Sequence, residues 1–178
     1  MTDLQLQSQF ELTLDAKNRL TIPARFRDPF RAGLVLVRSF DVPAIGVEPA
    51  ADYREFVQQS LAGRHPLDPA TRAIERSLNS MATPAELDGQ GRVTISPTHL
   101  EHARIGGKEV LLVGSGRRFE LWDRAGWEAY APSMQDAMLQ IANAIGGQSG
   151  FPPAPGFGAA PGAQPGGAPG TGSGPAED

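Results

Sequence analysis

The spacing of hydrophobic and polar residues is the same in two separate stretches of the chain. Residues 10–14 alternate large apolar with polar side chains, which is typical of a half-buried strand, and a short strand follows at 19–22. The segment 14–23 returns later in the chain as 87–96. Asn18 in the first copy, and Gly89 and Gly91 in the second, tolerate the positive φ that a tight turn needs. We therefore predict two β-hairpins, with the first turn at residues 15–18, and an internal repeat.

Each predicted hairpin is followed by the same series of elements. Pro23 in the first copy and Ser96-Pro97 in the second favour the start of a short helix. Continuous apolar strands are predicted at 34–37 and 110–113, each paired with a further strand at 44–48 or 118–122. From these further strands onward the spacing between the copies is longer by one than at the hairpins, which one inserted loop residue would explain.

Helices are predicted in the rest of the chain. Residues 50–61 place apolar side chains, Tyr53 and Phe56 among them, on one side of a helix that ends near Gly63. A second helix begins at residues 68–69 and bridges the two copies. In the C-terminal half, Pro132 is expected to separate a helix at 124–130 from a last amphipathic helix that ends near Gly146.

The domain organisation follows from the size of the repeat. One unit of about 60 residues is small for an independent core and would expose an apolar sheet face. We therefore expect the two copies to pack on each other as a pseudo-two-fold pair within one chain, giving an α+β fold that is mainly β. The predicted segments are a first repeat at 6–62, a linker helix at 63–82, a second repeat at 83–131, a C-terminal helix at 132–146 and a disordered tail at 147–178. Residues 146–178 contain 11 Gly, 7 Pro and no Lys or Arg, which is typical of a disordered segment.

The distribution of charge favours an anionic partner. The net charge is −4, but residues 15–38 carry a net +4 and residues 39–60 a net −3. A basic patch on an acidic body is compatible with binding a polyanion through one face. The sequence has no cysteine, which excludes disulfides and thiolate chemistry. No run approaches the roughly 18 apolar residues of a membrane span, so we expect no membrane partner.

The repeated motif identifies a family. The pattern Leu-Asp-x-x-(Asn/Gly)-Arg-hydrophobic-Thr-Ile-(Pro/Ser) occurs twice, followed in the first copy by the basic segment 23–27 and in the second by the strands 110–114 and 119–123. These features resemble the MraZ family, which belongs to the AbrB-like (SpoVT-AbrB) group of swapped-hairpin DNA-binding proteins. The resemblance implies a bacterial transcriptional regulator in the cytoplasm, at the nucleoid. It further implies a ring-shaped homo-oligomer that binds direct repeats of double-stranded DNA in the promoter of the division and cell-wall gene cluster.

The resemblance also implies the site residues. The first motif places DNA contacts at Asp15, Lys17 and Arg19, and the second places them at Asp88 and Arg92. Arginine suits this position because its planar fork donates two parallel hydrogen bonds to a phosphate or a guanine edge. The alternative is that each Asp pairs with the Arg of its own turn, and the two roles can coexist.

The basic residues next to the first motif are further candidates for contact with DNA. Arg25 and Arg27 join the predicted contacts, although a solvated surface is about as plausible for them. We predict no cofactor, no metal and no small-molecule substrate.

Other functions remain as alternatives. His99 and His102, three residues apart, are the best sign of an enzyme, but no carboxylate pattern beyond Glu101 completes a metal site and no Gly-rich phosphate loop is present. We therefore predict that the chain is not an enzyme. An AbrB-like antitoxin and an oligomeric scaffold that does not bind DNA are the two remaining hypotheses.

Overall fold

The computed structural model describes residues 5–149, except for the side chains of residues 146–149. The strands in this part are β1 (Gln9–Thr13), β2 (Arg19–Thr21), β3 (Leu34–Arg38), β4 (Ile45–Pro49), β5 (Ala82–Ala85), β6 (Arg92–Thr94), β7 (Glu109–Gly114) and β8 (Phe119–Asp123). The helices are α1 (Ala50–Leu61), α2 (Pro69–Met81), α3 (Pro97–His102) and α4 (Arg124–Ser149), with two short 3₁₀ helices at Ala24–Phe26 and Asp28–Phe30. The four predicted apolar strands are confirmed.

The two copies of the repeat exchange strands. A six-stranded antiparallel sheet has the order β1-β7-β8-β4-β3-β5, and β2 pairs with β6 in a separate two-stranded ribbon. β1 of the first copy therefore lies beside β7 of the second, while β5 of the second lies beside β3 of the first. The predicted intrachain pair of swapped hairpins is confirmed.

Strand register locates a pseudo-two-fold axis. Gly46 pairs with Glu120, and Leu20 pairs with Val93. The two residues of each pair occupy equivalent positions, one in the first copy of the repeat and the other in the second. A residue that pairs with its own repeat equivalent must lie on the symmetry axis. The axis therefore passes through the centre of the large sheet and the centre of the ribbon, and it relates the two motif turns.

Two sequence predictions about the repeat are wrong in detail. β1 and β2 do not form a ladder with each other, because beyond the turn each strand pairs with the opposite copy. The single inserted residue is also wrong. Gln9 pairs with Val113 while its equivalent Ala82 pairs with Val37, so the register makes Val37 the equivalent of Val113. The second copy therefore has three more residues before β7 and two fewer between β7 and β8.

The large sheet carries a different apolar cluster on each face, because side chains alternate along its strands. Leu112 and Leu121 face the main cluster, which also includes Leu20 and Val93 of the ribbon. This cluster holds the ribbon against the sheet. On the other face Trp122 packs in a second cluster and stacks on the Tyr130 ring, with 4.9 Å between ring centroids.

α1 has the predicted bounds, α2 has the predicted start, and both carry the expected end signals. Gly63 has a φ of +73° just beyond the end of α1, and the Asp68 carboxylate accepts a hydrogen bond from the Thr71 N–H at 3.0 Å at the start of α2. The Tyr53 hydroxyl donates to the Leu78 carbonyl at 2.7 Å and ties the two helices together. Phe56, which we predicted on the same side of α1 as Tyr53, is exposed, whereas Tyr53 is buried. The strand β5 that follows α2 is the first strand of the second predicted hairpin.

α4 is continuous through Pro132, so the predicted break is wrong. Proline lacks one backbone donor, and the remaining bonds of the two flanking turns suffice to continue the helix. The Ser133 hydroxyl donates to the Tyr130 carbonyl at 2.7 Å within the helix. The helix ends at Ser149, three residues into the predicted tail, and residues 150–178 lie outside the described residues. Among the described helices, none combines the length and apolar content needed to cross a membrane.

Candidate nucleic-acid interface

Each motif turn is held by one oxygen of its aspartate. Asp15 Oδ1 accepts hydrogen bonds from the backbone N–H groups of Lys17 and Arg19, both at 2.9 Å. In the second turn Asp88 Oδ1 accepts from the backbone N–H of residue 90 at 2.9 Å and of Arg92 at 3.0 Å. The two turns are therefore built in the same way, and in each the second carboxylate oxygen, Oδ2, is left for the arginine side chain.

The ribbon brings the two turns into one charge network. Arg19 Nε lies 2.7 Å from Asp15 Oδ2, and Arg92 Nε lies 2.8 Å from Asp88 Oδ2. Weaker contacts cross the pseudo-two-fold axis, with Arg19 Nη1 3.6 Å from Asp88 Oδ2 and Arg92 Nη1 4.0 Å from Asp15 Oδ2. The pairing of Asp and Arg within a turn, which was the alternative to a DNA role, is thus present. The contacts across the axis were not predicted.

The two aspartates of this network are ionised at neutral pH, and all four side chains are reachable from solvent. The hydrogen bond from the Arg92 side chain, together with backbone N–H groups of the turn, lowers the pKa of Asp88 to about 2. The pKa of Asp15 is also lowered, mainly by the hydrogen bond from the Arg19 backbone. The four side chains are between 22% and 34% exposed, so the arginines are neither sealed nor unpaired. Their contact with DNA stays a prediction.

Two lysines lie at the first turn. Lys17 is an exposed residue of the turn itself. Lys108 directly precedes β7, and its carbonyl accepts from the Leu14 N–H at 2.9 Å, which extends the β1–β7 pairing toward the turn. Its ammonium group donates to Asn18 Oδ1 across the turn. Lys108 was missed because only the strand register brings it beside a motif that lies far from it in the sequence.

The arginines that follow the first motif lie in two different places. The guanidinium group of Arg25 is over the rings of Phe10 and Phe26, at 5.2 and 4.7 Å from their centroids. Arg27 crosses to the second turn, where its Nε donates to the Ile22 carbonyl at 2.8 Å and its side chain lies against Gly91. Arg25 is therefore tied to an aromatic surface, whereas Arg27 belongs to the second turn.

An open cleft of about 600 Å³ lies next to the second turn. Arg27 and Arg31 supply positive charge to its walls, while Glu86 and Asp88 supply negative charge. Arg31 is exposed and paired with Asp28, with 2.8 Å between Nε and Oδ1. The second turn is therefore flanked by arginines and the first by lysines.

The two histidines that suggested an enzyme hold α3 against β3. His99 is buried, with Nδ1 2.7 Å from Ser96 Oγ and Nε2 3.4 Å from the Leu36 carbonyl, and burial lowers its pKa. His102 Nε2 lies 2.8 Å from the Ser39 carbonyl. Within the described part of the chain, no three His, Cys, Asp or Glu side chains lie close enough to hold a metal ion. Both ring nitrogens of His99 and Nε2 of His102 therefore have partners within the fold.

Comparison with known protein families gives a match to both halves of the chain. The family model described as "MraZ protein, putative antitoxin-like" matches residues 6–76 and 78–144. The chain belongs to the MraZ family. The two matched segments each contain one motif turn, in agreement with the repeat.

Several relatives in the MraZ family carry the name "Transcriptional regulator MraZ". The protein of Hydrogenovibrio crunogenus is 35% identical over 130 residues, which cover 71% of this chain and 84% of the relative. The protein of Mycolicibacterium gilvum is 36% identical over 66% of this chain and 80% of its own length. The protein of Coxiella burnetii is 39% identical over 66% of this chain and 78% of its own length.

Proposed function

We propose that this chain is a sequence-specific DNA-binding transcriptional regulator that represses the division and cell-wall gene cluster. It binds direct-repeat promoter boxes as a ring-shaped homo-oligomer, in the cytoplasm at the nucleoid. The name shared by its relatives supports the regulatory role. The resemblance of both Asp-x-x-x-Arg motifs to the DNA contacts of the family supports the DNA partner. The proposal includes no catalysis, cofactor or metal.

The observation that carries the proposal is the placement of the two motif arginines. Leu20 and Val93 form the residue pair on the pseudo-two-fold axis of the ribbon. Arg19 and Arg92 are the direct neighbours of these two residues, so both guanidinium groups occupy the same edge of the molecule. Both are partly exposed, and cations flank each turn. A duplex approaching this edge meets two arginines and their flanking positive charges together.

The aspartates are compatible with this role because they orient the arginines. A guanidinium group has five N–H donors in a fixed fork. Arg19 uses Nε for its short bond to Asp15, and its Nη1 contact to Asp88 is long at 3.6 Å. Nη donors therefore remain to bond a phosphate or a guanine edge while Asp15 fixes the direction of the side chain.

Affinity then comes from repetition. One good bidentate contact gives about 1–3 kcal/mol of discrimination between bases, which is too little for a specific regulator. Two turns per chain, multiplied by the chains of an oligomer on repeated boxes, raise the affinity through effective concentration. This requirement supports a ring on direct repeats.

The test is a titration of the full chain with fluorescent duplexes at several salt concentrations. Wild-type protein should prefer a direct-repeat promoter duplex over a scrambled one, and its affinity should fall as salt rises. A variant with both Arg19→Ala and Arg92→Ala should lose the preference. Arg54→Gln, which removes one exposed positive charge from α1, is the control and should keep it. Equal affinity of the wild type for both duplexes would overturn sequence-specific binding and favour the scaffold hypothesis.

An antitoxin is the second candidate, because the description of the matching family model includes that role. Antitoxins of the AbrB-like group normally carry one hairpin and dimerise between chains, whereas this chain carries both copies. The candidate predicts a tight complex with a small toxic protein encoded beside it. Affinity purification of the chain from its own host, followed by a growth assay of any co-purified protein expressed alone, separates the two functions.

A further inference from the structure

The two lysines of the sequence meet at one turn. All other basic side chains apart from the histidines are arginines, so Lys17 and Lys108 are the entire lysine content of the sequence. They lie in different copies of the repeat. The β1–β7 register nevertheless places Lys108 opposite Leu14, directly before the turn that contains Lys17.

Lys108 is held beside the turn by two contacts. Its carbonyl accepts the Leu14 N–H at 2.9 Å, and its ammonium group donates to Asn18 Oδ1. Asn18 has a φ of +56°, a conformation for which glycine is the usual residue, and its amide provides the acceptor that glycine lacks. Both lysines are exposed, and within residues 5–149 no acidic side chain forms an ion pair with either of them.

The second turn has no equivalent of this arrangement. Gln90 takes the position of Lys17, and Gly91 takes the position of Asn18. Ala32 takes the position of Lys108 in the register that makes β3 the equivalent of β7. The two turns are otherwise alike in their backbone hydrogen bonds and in the Nε bond from each arginine to its aspartate, and Arg92 adds a contact from Nη2 to Asp88 Oδ2 at 2.7 Å.

We infer that Lys17 and Lys108 form a phosphate-binding pair on the first turn alone. The inference rests on the proposed function and deepens it by assigning a role to Lys108. An ammonium group is a compact, rotatable point charge that suits a phosphate and carries no base specificity. The first turn therefore anchors the chain to the DNA backbone through its lysines, while the second turn has only arginines at its sides. The two ends of the site are unequal, which gives each chain a fixed direction on its DNA box.

Salt-dependent binding tests the role of Lys108. Lys108→Gln should weaken binding to direct-repeat and scrambled duplexes by a similar factor. It should also reduce the slope of log K against log salt by about 0.9 for each chain engaged. Lys108→Arg should retain the wild-type slope, and the control Arg54→Gln should leave it unchanged. An unchanged slope for Lys108→Gln, with wild-type thermal unfolding, would overturn the inference, and so would an equal loss in the control.

Amine modification provides a second readout, because only two side chains of the sequence carry a primary amine. The full chain is acetylated with an N-hydroxysuccinimide ester, with and without a direct-repeat duplex, and the rate at each lysine is read by peptide mass spectrometry. DNA should slow acetylation of both Lys17 and Lys108. Unchanged acetylation of Lys108 on a duplex that is bound would overturn its role and leave the proposed function intact. A wild-type chain that fails to bind duplex DNA at all would overturn the proposed function itself.

Discussion

A single methyl group added at Gly91 should perturb the second turn and leave the first turn unaffected. The φ of Gly91 is +77°, and an alanine methyl group there would overlap Arg27, lying 2.6 Å from Cδ and 2.5 Å from Cζ. Arg27 would have to move, and its hydrogen bond to the Ile22 carbonyl would be lost. Gly91→Ala therefore combines backbone strain with the displacement of a predicted DNA contact.

The magnitude follows from these two terms. Placing a non-glycine residue in the left-handed region costs about 1–2 kcal/mol. The lost hydrogen bond contributes about 0.5–1.5 kcal/mol more. We expect Gly91→Ala to lower the free energy of unfolding by about 1.5–3.5 kcal/mol, and the melting temperature by about 3–14 °C for a chain of this size.

Urea unfolding followed by tryptophan fluorescence measures this change, because Trp122 and Trp127 are both buried. Gly89→Ala is the matched control, since no atom lies within 4 Å of its added methyl group and its φ is not in the left-handed range. In an Arg27→Ala background the cost of Gly91→Ala should fall to the backbone part, about 1–2 kcal/mol. A cost no larger than that of Gly89→Ala, or one unaffected by Arg27→Ala, would refute the reasoning.

Three further predictions concern the charge network and α3. Arg19→Ala and Arg92→Ala should each weaken binding to direct-repeat DNA by on the order of 10-fold or more. Their melting temperatures should change little, because partly exposed ion pairs add little net stability. Binding titrations and thermal melts of the same samples check this, and loss of folding together with binding would favour a purely structural role. Asp88 has a folded pKa of about 2, below its ordinary 3.8, so its stabilising contribution should be complete above about pH 4 and lost as pH falls toward 2. An NMR titration of the carboxyl group that gave a pKa near 4 would contradict the charge network of the two turns. Burial lowers the pKa of His99 below its ordinary 6.5, so the unfolded state binds more protons and stability should fall as pH drops through 6.5. The variant His99→Phe, which copies Phe26 of the first repeat, should flatten this pH dependence. Unfolding measurements at pH 5.5 to 7.5 check this.

The fold was largely predictable because its signals are local. Alternation in residues 10–14, the residues of the two turns and the Asp68-Pro69 helix start each act within a few positions, and the repetition of the pattern implied two halves. Strand pairing was less accessible, because Leu12 pairs with Val110 and not with its neighbour across the turn. The course of α4 through Pro132 was also missed, since a proline lowers helix stability without determining whether flanking turns continue.

The candidate site was predictable in its residue types and only partly in its geometry. Asp15, Arg19, Asp88 and Arg92 follow from the motif, and so does the pairing of Asp with Arg within each turn. The contacts across the axis depend on the β2–β6 register, which no local pattern encodes. The position of Lys108 depends in the same way on how β7 lies beside β1.

Gly46 and Glu120 form the residue pair on the pseudo-two-fold axis of the large sheet. This pair shows which sequence differences become possible when two halves are joined in one chain. In a dimer of identical chains, the residue on a two-fold axis must face its own copy, so two glycines or two glutamates would meet there. Here Gly46 faces Glu120, and the Glu120 carboxylate accepts hydrogen bonds from Arg118 at 3.0 Å and from the Trp122 indole at 3.3 Å. A small residue can face a large, hydrogen-bonded residue on the axis only when the two halves have separate coding sequences. The tethered halves can therefore diverge as two different subunits would, while they stay matched one to one at every protein concentration.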